Sequence, residues 1–266
     1  MKYYSDKILQ KTYLDKIFEN CQTLSDDYDF YVICSHPNES GILHLPEDNK
    51  PKVVFDLGDE WHRVPFYYNR NDIVLILKEY SPLDLQNHKK IKPIPPIFNY
   101  GMWSENTKKI EHKEFLVFSS MGLWPSRSKL KDVLSRYDES DKFSIHWNEQ
   151  FNCGYDYSEY MKNLTNSLIS ISPQGYITTE TARTWEIIQA KTIPICKRQI
   201  PYWYYHGMRL FQYDDESQIP DLINHIISLD PEEQQSIVDL NKKIFDENVS
   251  PKAIASWIET KLKDMS

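Results

Sequence analysis

Apolar and polar positions alternate along this chain in two periods, one of a strand and one of a helix. In the first half, "YDFYVIC" (28–34), "KVVFDL" (52–57) and "DIVLILKEY" (72–80) are short, β-branched and bounded by polar residues, as strands of a parallel sheet buried on both faces are. Ahead of them, "SDKILQKTYLDKIFENC" sets Ile8, Tyr13, Leu14, Ile17 and Phe18 at helical spacing. The second half restarts with "FLVFSS" (115–120), a helix over 127–137, "FSIHW" (143–147), the helix "YSEYMKNL", "SLISI", a further helix and "TIPIC". That run of β-α-β-α-β-α-β predicts a second parallel sheet wound with helices. The tail contains three amphipathic segments, "SQIPDLINHIISLD", "PEEQQSIVDLNKKIFDEN" and "SPKAIASWIETKLKDM", each with Ser, Asp or Pro near its start.

Between the halves, "KPIPPIFNYGMW" crowds three prolines into four residues and "SENTKKIEHKE" follows it, a stretch that forbids a regular helix and marks an interdomain crossing. The expected division is 1–105 and 106–266, with the final helix crossing back. Two doubly wound sheets of the α/β class, facing a cleft and covered by C-terminal helices, follow from this order.

A length of 266 residues with 40% apolar content supports a real core without disulfides. The formal charge of −8 repels polyanions, which argues against nucleic acid as a partner. Cys21, Cys34, Cys153 and Cys196 are scattered without disulfide or metal-ligand spacing. The N-terminus lacks the apolar core of a signal peptide and no stretch reaches the length of a membrane span, so the reading is a soluble, cytoplasmic chain.

The stretch with the most chemistry is "LISISPQGYITTETARTWEIIQAKTIPI" (168–195). In an open parallel sheet, ligands sit beyond the carboxyl ends of the strands, where helix N-termini direct free N–H groups outward. Here a strand ends at Ser172 and Pro173, Gly175 permits a tight turn, and Thr178, Thr179 or Thr181 is placed to cap the next helix. Glu180, Arg183 and Glu186 at i, i+3 and i+6 share roughly one face of that helix. An arginine near a helix start suits a diphosphate, and a carboxylate one turn deeper suits a pair of ribose hydroxyls. An ordinary intrahelical Glu/Arg pair is the competing explanation of the spacing.

"SPQG" followed by "ETARTWEIIQAKTIPI" resembles the signature of the exostosin-like glycosyltransferases of the GT-B fold. It departs from that family at Lys191, where glycine is more usual, and in a slightly longer loop. The resemblance implies two Rossmann-like domains, the first holding the acceptor and the second a nucleotide-sugar donor, commonly UDP-linked. It further implies inversion at the anomeric carbon without a bound metal or other cofactor. Glu186 would then hold the ribose, Arg183 would face the phosphates, and Ser172, Gly175 and the threonines would line the diphosphate. In "SSMGLWPSRSKL", Arg127 and, behind it, Lys129 match the basic position such enzymes keep after the first strand of the second domain. In "IHWNEQF", His146, Trp147 or Asn148 would frame the base, with Trp147 equally explained as core.

An inverting transfer needs a general base for the acceptor hydroxyl. "VVFDLGDEWHR" sets Asp59, Glu60, His62 and Arg63 directly after a strand and Gly58, making Asp59 or Glu60 the expected base with His62 orienting or replacing it. His36, in "CSHPNESG", is the alternative. Trp61, Arg63 and Tyr67 are the expected acceptor contacts, a glycan hydroxyl being the acceptor. "YDDES" (213–217) reads as a helix-capping loop, not a metal site. UDP-xylose is the leading donor, from the likeness to the xylosyltransferase branch. A nucleotide-sugar epimerase or hydrolase on the same frame, and a non-catalytic glycan-binding protein, are the rival functions.

Overall fold

The computed structural model describes residues 11–21, 24, 26–33, 45–46, 48–57, 69–85, 88–96, 108–137, 141–149, 154–175 and 178–265. The chain divides into two compact units, Met1–Gly101 with Asp246–Ser266, and Met102–Phe245. The sequence reading left all of 106–266 in the second domain apart from a returning final helix; in the structure the return begins at Asp246.

In the first unit, β1 (Asp29–Ile33), β2 (Lys52–Asp56), β3 (Ile73–Lys78) and β4 (Ile91–Pro93) form one parallel sheet in chain order. The three long apolar runs supply its first three strands, and β2 is buried along its whole length. β4 is a short strand that the sequence pattern does not announce, since Pro93 and its neighbours read as a breaker. α1 (Lys11–Asn20) buries Tyr13, Leu14, Ile17 and Phe18 of the stripe its periodicity predicts, Ile8 lying outside the described residues. Each such side chain contributes about 1.5–3 kcal/mol of burial. Helix α1 packs against the last helix of the chain, Pro251–Lys263, and the Tyr13 hydroxyl donates to the Val249 carbonyl. At the carboxyl end of this sheet Asp56 and Lys78 stand opposite each other in register and pair at 3.1 Å, both buried.

In the second unit, β5 (Phe115–Gly122), β6 (Phe143–Asn148), β7 (Ser167–Ser172), β8 (Ile193–Lys197) and β9 (Phe211–Tyr213) form a parallel sheet in the order β6-β5-β7-β8-β9. The connecting helices are α2 (Ser128–Leu134), α3 (Tyr157–Thr165) and α4 (Ala182–Gln189), followed by α5 (Ile219–Ser228) and α6 (Pro231–Asn248), whose last turn passes into the first unit, where α7 (Pro251–Lys263) lies. One sheet face packs on Leu130 and Leu134 of α2, Ile219, Ile223 and Ile226 of α5, and Ile237 and Val238 of α6. The other face packs on Met161 and Leu164 of α3, Ile187 of α4 and Ala190 just after it through Phe118. Helices on both faces of a parallel sheet are the doubly wound arrangement.

Two local details depart from the sequence reading. The predicted helix over 127–137 is a true α-helix only at Ser128–Leu134, between 3-10 turns at Pro125–Arg127 and Ser135–Tyr137. Helix α4 begins at Ala182, so Glu180 precedes it and does not share its face with Arg183 and Glu186. The cause is tertiary: the Glu180 side chain is drawn into the interior and Thr181 is extended, with φ −143° and ψ 150°.

Candidate functional site

The sheet of the second unit has its topological switch between β5 and β7, because the chain leaves β5 for β6 on one side and returns to β7 on the other. Ladder pairing between β5 and β7 runs only to Phe118 and Ser170, whereas that between β5 and β6 continues to Gly122 and Asn148. Beyond Phe118 the Ser119 hydroxyl replaces backbone pairing: it accepts from the Ile171 N–H at 2.8 Å and donates to the Ile171 carbonyl at 3.2 Å. The described residues that follow β5 (123–127) and β7 (173–175 and 178–181) flank this switch.

Arg127 ties the two loops together. Its guanidinium donates to the Gly122 carbonyl at 3.1 Å and to the Gln174 carbonyl at 2.8 Å. The residue is 9% exposed, its Nε has no partner, and no carboxylate among the described residues pairs with it. Burial lowers its pKa to about 10, and the neighbouring Arg183 cation pushes in the same direction. It therefore remains charged at neutral pH, and a buried cation held only by carbonyl oxygens is under-compensated until an anion meets it. Arg183, in the first turn of α4, is half-buried and also has an Nε without a partner.

The start of α4 is left open. Thr181 makes no capping bond to the first turn; its hydroxyl goes instead to Ser172 at 2.7 Å, and Ser172 also meets the Thr184 hydroxyl at 2.9 Å. Ser172 thus fastens the end of β7 to the helix, and the first-turn N–H groups keep no side-chain acceptor. Thr178 does not cap either: its hydroxyl donates to the Glu180 carbonyl at 3.0 Å. Gly175 is tightly packed, since a Cβ there would lie 3.1 Å from the Glu180 carbonyl oxygen and 3.2 Å from that of Thr178. The Thr179 hydroxyl is buried without a partner, and its carbonyl accepts from Gln199 at 3.2 Å.

Glu186 lies one turn beyond Arg183, half-buried, and its Oε2 accepts from the Tyr160 hydroxyl at 3.1 Å. Burial raises its pKa, while Arg183 and the Tyr160 hydrogen bond oppose the rise. Glu180 is different. It is 2% exposed, with one carboxyl oxygen on Tyr205 at 2.9 Å and the other on Tyr204 at 3.1 Å. Burial pushes its pKa up to about 8 against both hydrogen bonds. These tyrosines pack on Trp185 of α4, Tyr205 stacked at 4.8 Å and Tyr204 edge-on at 5.7 Å. The Glu180 carboxyl group is therefore an anchor for the loop, not a group on the open rim.

Lys129 is exposed and ion-paired with Asp215, and takes no part in the carbonyl contacts of Arg127. Asp215 caps the turn at Glu216–Gln218 through the Ser217 N–H at 2.9 Å, and Gln218 reaches back to the Asp215 N–H at 3.1 Å. Asp214 is held bidentately by Arg198 at 2.6 and 2.7 Å. The adjacent aspartates accordingly serve as a cap and an ion pair. His146 Nε2 meets the hydroxyls of Ser144 at 2.9 Å and Tyr155 at 2.7 Å, and burial lowers its pKa against the pull of Glu159. Trp147 packs against the core face, and the Asn148 amide donates to Ser120 at 3.0 Å.

The structure brings together Arg127, Ser172, Gly175, Thr178, Thr179, Arg183 and Glu186 around the β7-to-α4 loop, and turns Glu180 inward. Asp59, Glu60, His62 and His36, with Trp61, Arg63 and Tyr67, lie outside the described residues. Sequence reasoning missed Tyr160, the partner of Glu186, and Trp124, 40% exposed on the loop after β5. An aromatic in "GLWPS" was a visible signal for Trp124; nothing local marks Tyr160. A groove of ≈ 870 Å³ lies elsewhere, at the amino ends of β5 and β8, lined by Lys109, Lys191 and Lys243 against Glu111, Glu232 and Asp239. Its opposing charges offer no preference for an anion. Among the described residues no cluster of His, Cys, Asp or Glu could hold a metal ion, and no helix is long and apolar enough to cross a membrane. Cys21 and Cys196 are buried free thiols.

Solved structures share this two-sheet architecture over nearly the whole chain. HepE from Anabaena, in complex with UDP and glucose, superposes with a TM-score of 0.51 at 11% identity, over 93% of this chain and 81% of that one. A glycosyltransferase from Rickettsia africae gives 0.54 at 13% identity, over 100% and 84%. A point mutant of TarM from S. aureus, in a complex that includes UDP, gives 0.58 at 12% identity, over 92% and 58%. The chain has the GT-B fold. At these identities the likeness is one of fold alone. No family model matches the sequence, and no curated protein matches it.

Proposed function

We propose that this protein is an exostosin-like glycosyltransferase that moves a sugar from a UDP-sugar to a hydroxyl of a glycan, with inversion and without a metal. The observation that carries the reading is the under-compensated Arg127 guanidinium beside Arg183 at the switch point, next to a helix start with no side-chain cap and the Glu186 carboxylate. A nucleoside diphosphate fits that set, with its phosphates on the arginines and its ribose on Glu186. UDP in the complexes of HepE and of TarM supports the choice of uridine. The xylosyl branch, and hence UDP-xylose, rests on the sequence signature, and a cytoplasmic setting on the scattered cysteines.

In the proposed reaction the acceptor oxygen forms a bond to the anomeric carbon as the bond from that carbon to the diphosphate breaks. The electron pair leaves on the diphosphate, where Arg127 and Arg183 offset the growing charge. The acceptor proton goes to Asp59 or Glu60.

The test is thermal unfolding of the purified protein with UDP, GDP or CMP in EDTA, followed by turnover of UDP-xylose with and without glycan acceptors. Stabilisation by UDP that persists in EDTA and disappears in Arg183→Ala is the expected result. No stabilisation by any nucleotide overturns the donor site, and sugar release without an acceptor replaces transfer by hydrolysis.

A further inference from the structure

We propose that Tyr160 is a positioning residue that orients the Glu186 carboxylate toward a vicinal diol and thereby sets a preference for ribonucleotides over 2′-deoxyribonucleotides. The inference rests on the nucleotide reading of the β7-to-α4 site and goes beyond it, because Tyr160 belongs to neither the loop nor its helix. It comes from α3, on the crossover from β6 to β7.

A glutamate's last torsion joins an sp³ to an sp² carbon and has broad wells, so an unsupported carboxylate swings through many orientations. Glu186 is supported: the Tyr160 hydroxyl donates to Oε2 at 3.1 Å. The phenol is itself fixed, its ring packed 5.9 Å from that of Phe118 and 6.2 Å from that of Tyr157. The Arg183 guanidinium stands beside the same hydroxyl and favours donation of its proton toward Glu186. With Oε2 held from one side, Oε1 takes no hydrogen bond from any described residue. A carboxylate fixed in plane with one oxygen open, plus the remaining lone pair of the other, matches two neighbouring hydroxyls that donate in parallel. A site built for such a pair rejects a ligand that lacks one hydroxyl, since the carboxylate oxygen is then desolvated without a donor. Freed from Tyr160, the carboxylate can rotate to water and the rejection weakens.

The experiment is calorimetric titration of UDP and 2′-deoxy-UDP into the wild-type protein, Tyr160→Phe and Glu186→Gln. The wild type is expected to prefer UDP by roughly ten-fold or more. Tyr160→Phe should lose most of that ratio by weakening UDP while leaving 2′-deoxy-UDP almost unchanged; a merely structural role would weaken both ligands together. The ratio is read on the folded fraction, so partial instability of the variant does not alter it. A ratio in Tyr160→Phe equal to that of the wild type overturns the positioning role while leaving the donor site standing. Absence of UDP binding in the wild type, or an unchanged ratio in Glu186→Gln, overturns the nucleotide reading and the inference with it.

Discussion

Replacing Glu180 by Gln should remove a pH-dependent weakness from the second unit. The carboxyl group is 2% exposed, its partners are two tyrosine hydroxyls, and burial raises its pKa from 4.5 to about 8. Both tyrosines are held well above their usual pKa by burial, so they stay protonated donors throughout the range of interest. Between the unfolded and folded pKa values the native chain binds the proton and the unfolded chain does not. Stability is therefore complete below about pH 4.5, falls as pH rises, and levels off above about pH 8. At about 1.4 kcal/mol for each pH unit between the two values, the loss is on the order of 3 kcal/mol at pH 7 and 5 kcal/mol at pH 9. Glutamine has nearly the same shape, accepts from one tyrosine and donates to the hydroxyl oxygen of the other, and does not ionise. Urea unfolding of both proteins from pH 4 to pH 9 isolates the effect, since other titrating groups cancel in the difference. The variant should match the wild type at the acid end and exceed it progressively with rising pH. Parallel profiles across that range would refute the buried, neutral carboxyl.

Ser119→Ala should destabilise the second unit by about 1–3 kcal/mol, because the Ile171 N–H loses its acceptor where β5 and β7 part; chemical denaturation checks it. Lys191 ends α4 in the left-handed region at φ 52°, with the Lys191 N–H on the Ile188 carbonyl and the Thr192 N–H on the Ile187 carbonyl. Lys191→Gly should accordingly raise stability by about 1 kcal/mol in thermal or urea unfolding. Lys129→Ala should leave UDP affinity within about two-fold, since that ammonium is exposed and engaged by Asp215; calorimetric titration decides it.

The strands were legible because burial on both faces of a parallel sheet demands long β-branched runs, and "KVVFDL" or "SLISI" can do little else. The α1 stripe and the Arg183 to Glu186 spacing were legible for a similar reason: helical neighbours are set by a short local period. The cap in "YDDES" is local too, with donor and acceptor at most four residues apart. Even the departure at Lys191 had a local meaning, a helix-ending position that glycine would occupy without strain.

Tertiary structure decided what each charged group does. Glu180 was read as sharing one helix face with Arg183 and Glu186, and is instead an interior anchor because Tyr204 and Tyr205, 24 and 25 residues further on, reach it. Arg127 meets Gln174 across 47 residues, and Tyr160 meets Glu186 across 26. The edge strands Ile91–Pro93 and Phe211–Tyr213 are too short to carry a period and exist because a longer strand lies beside them. Periodicity specifies which face of an element is buried, but a side chain's hydrogen-bond partner is specified only when packing brings a distant element to it. The sequence by itself therefore determined the two sheets, their order of elements and the stretch where ligand chemistry concentrates, and the packed structure alone determined which of its charges face outward and which hold the loop in place.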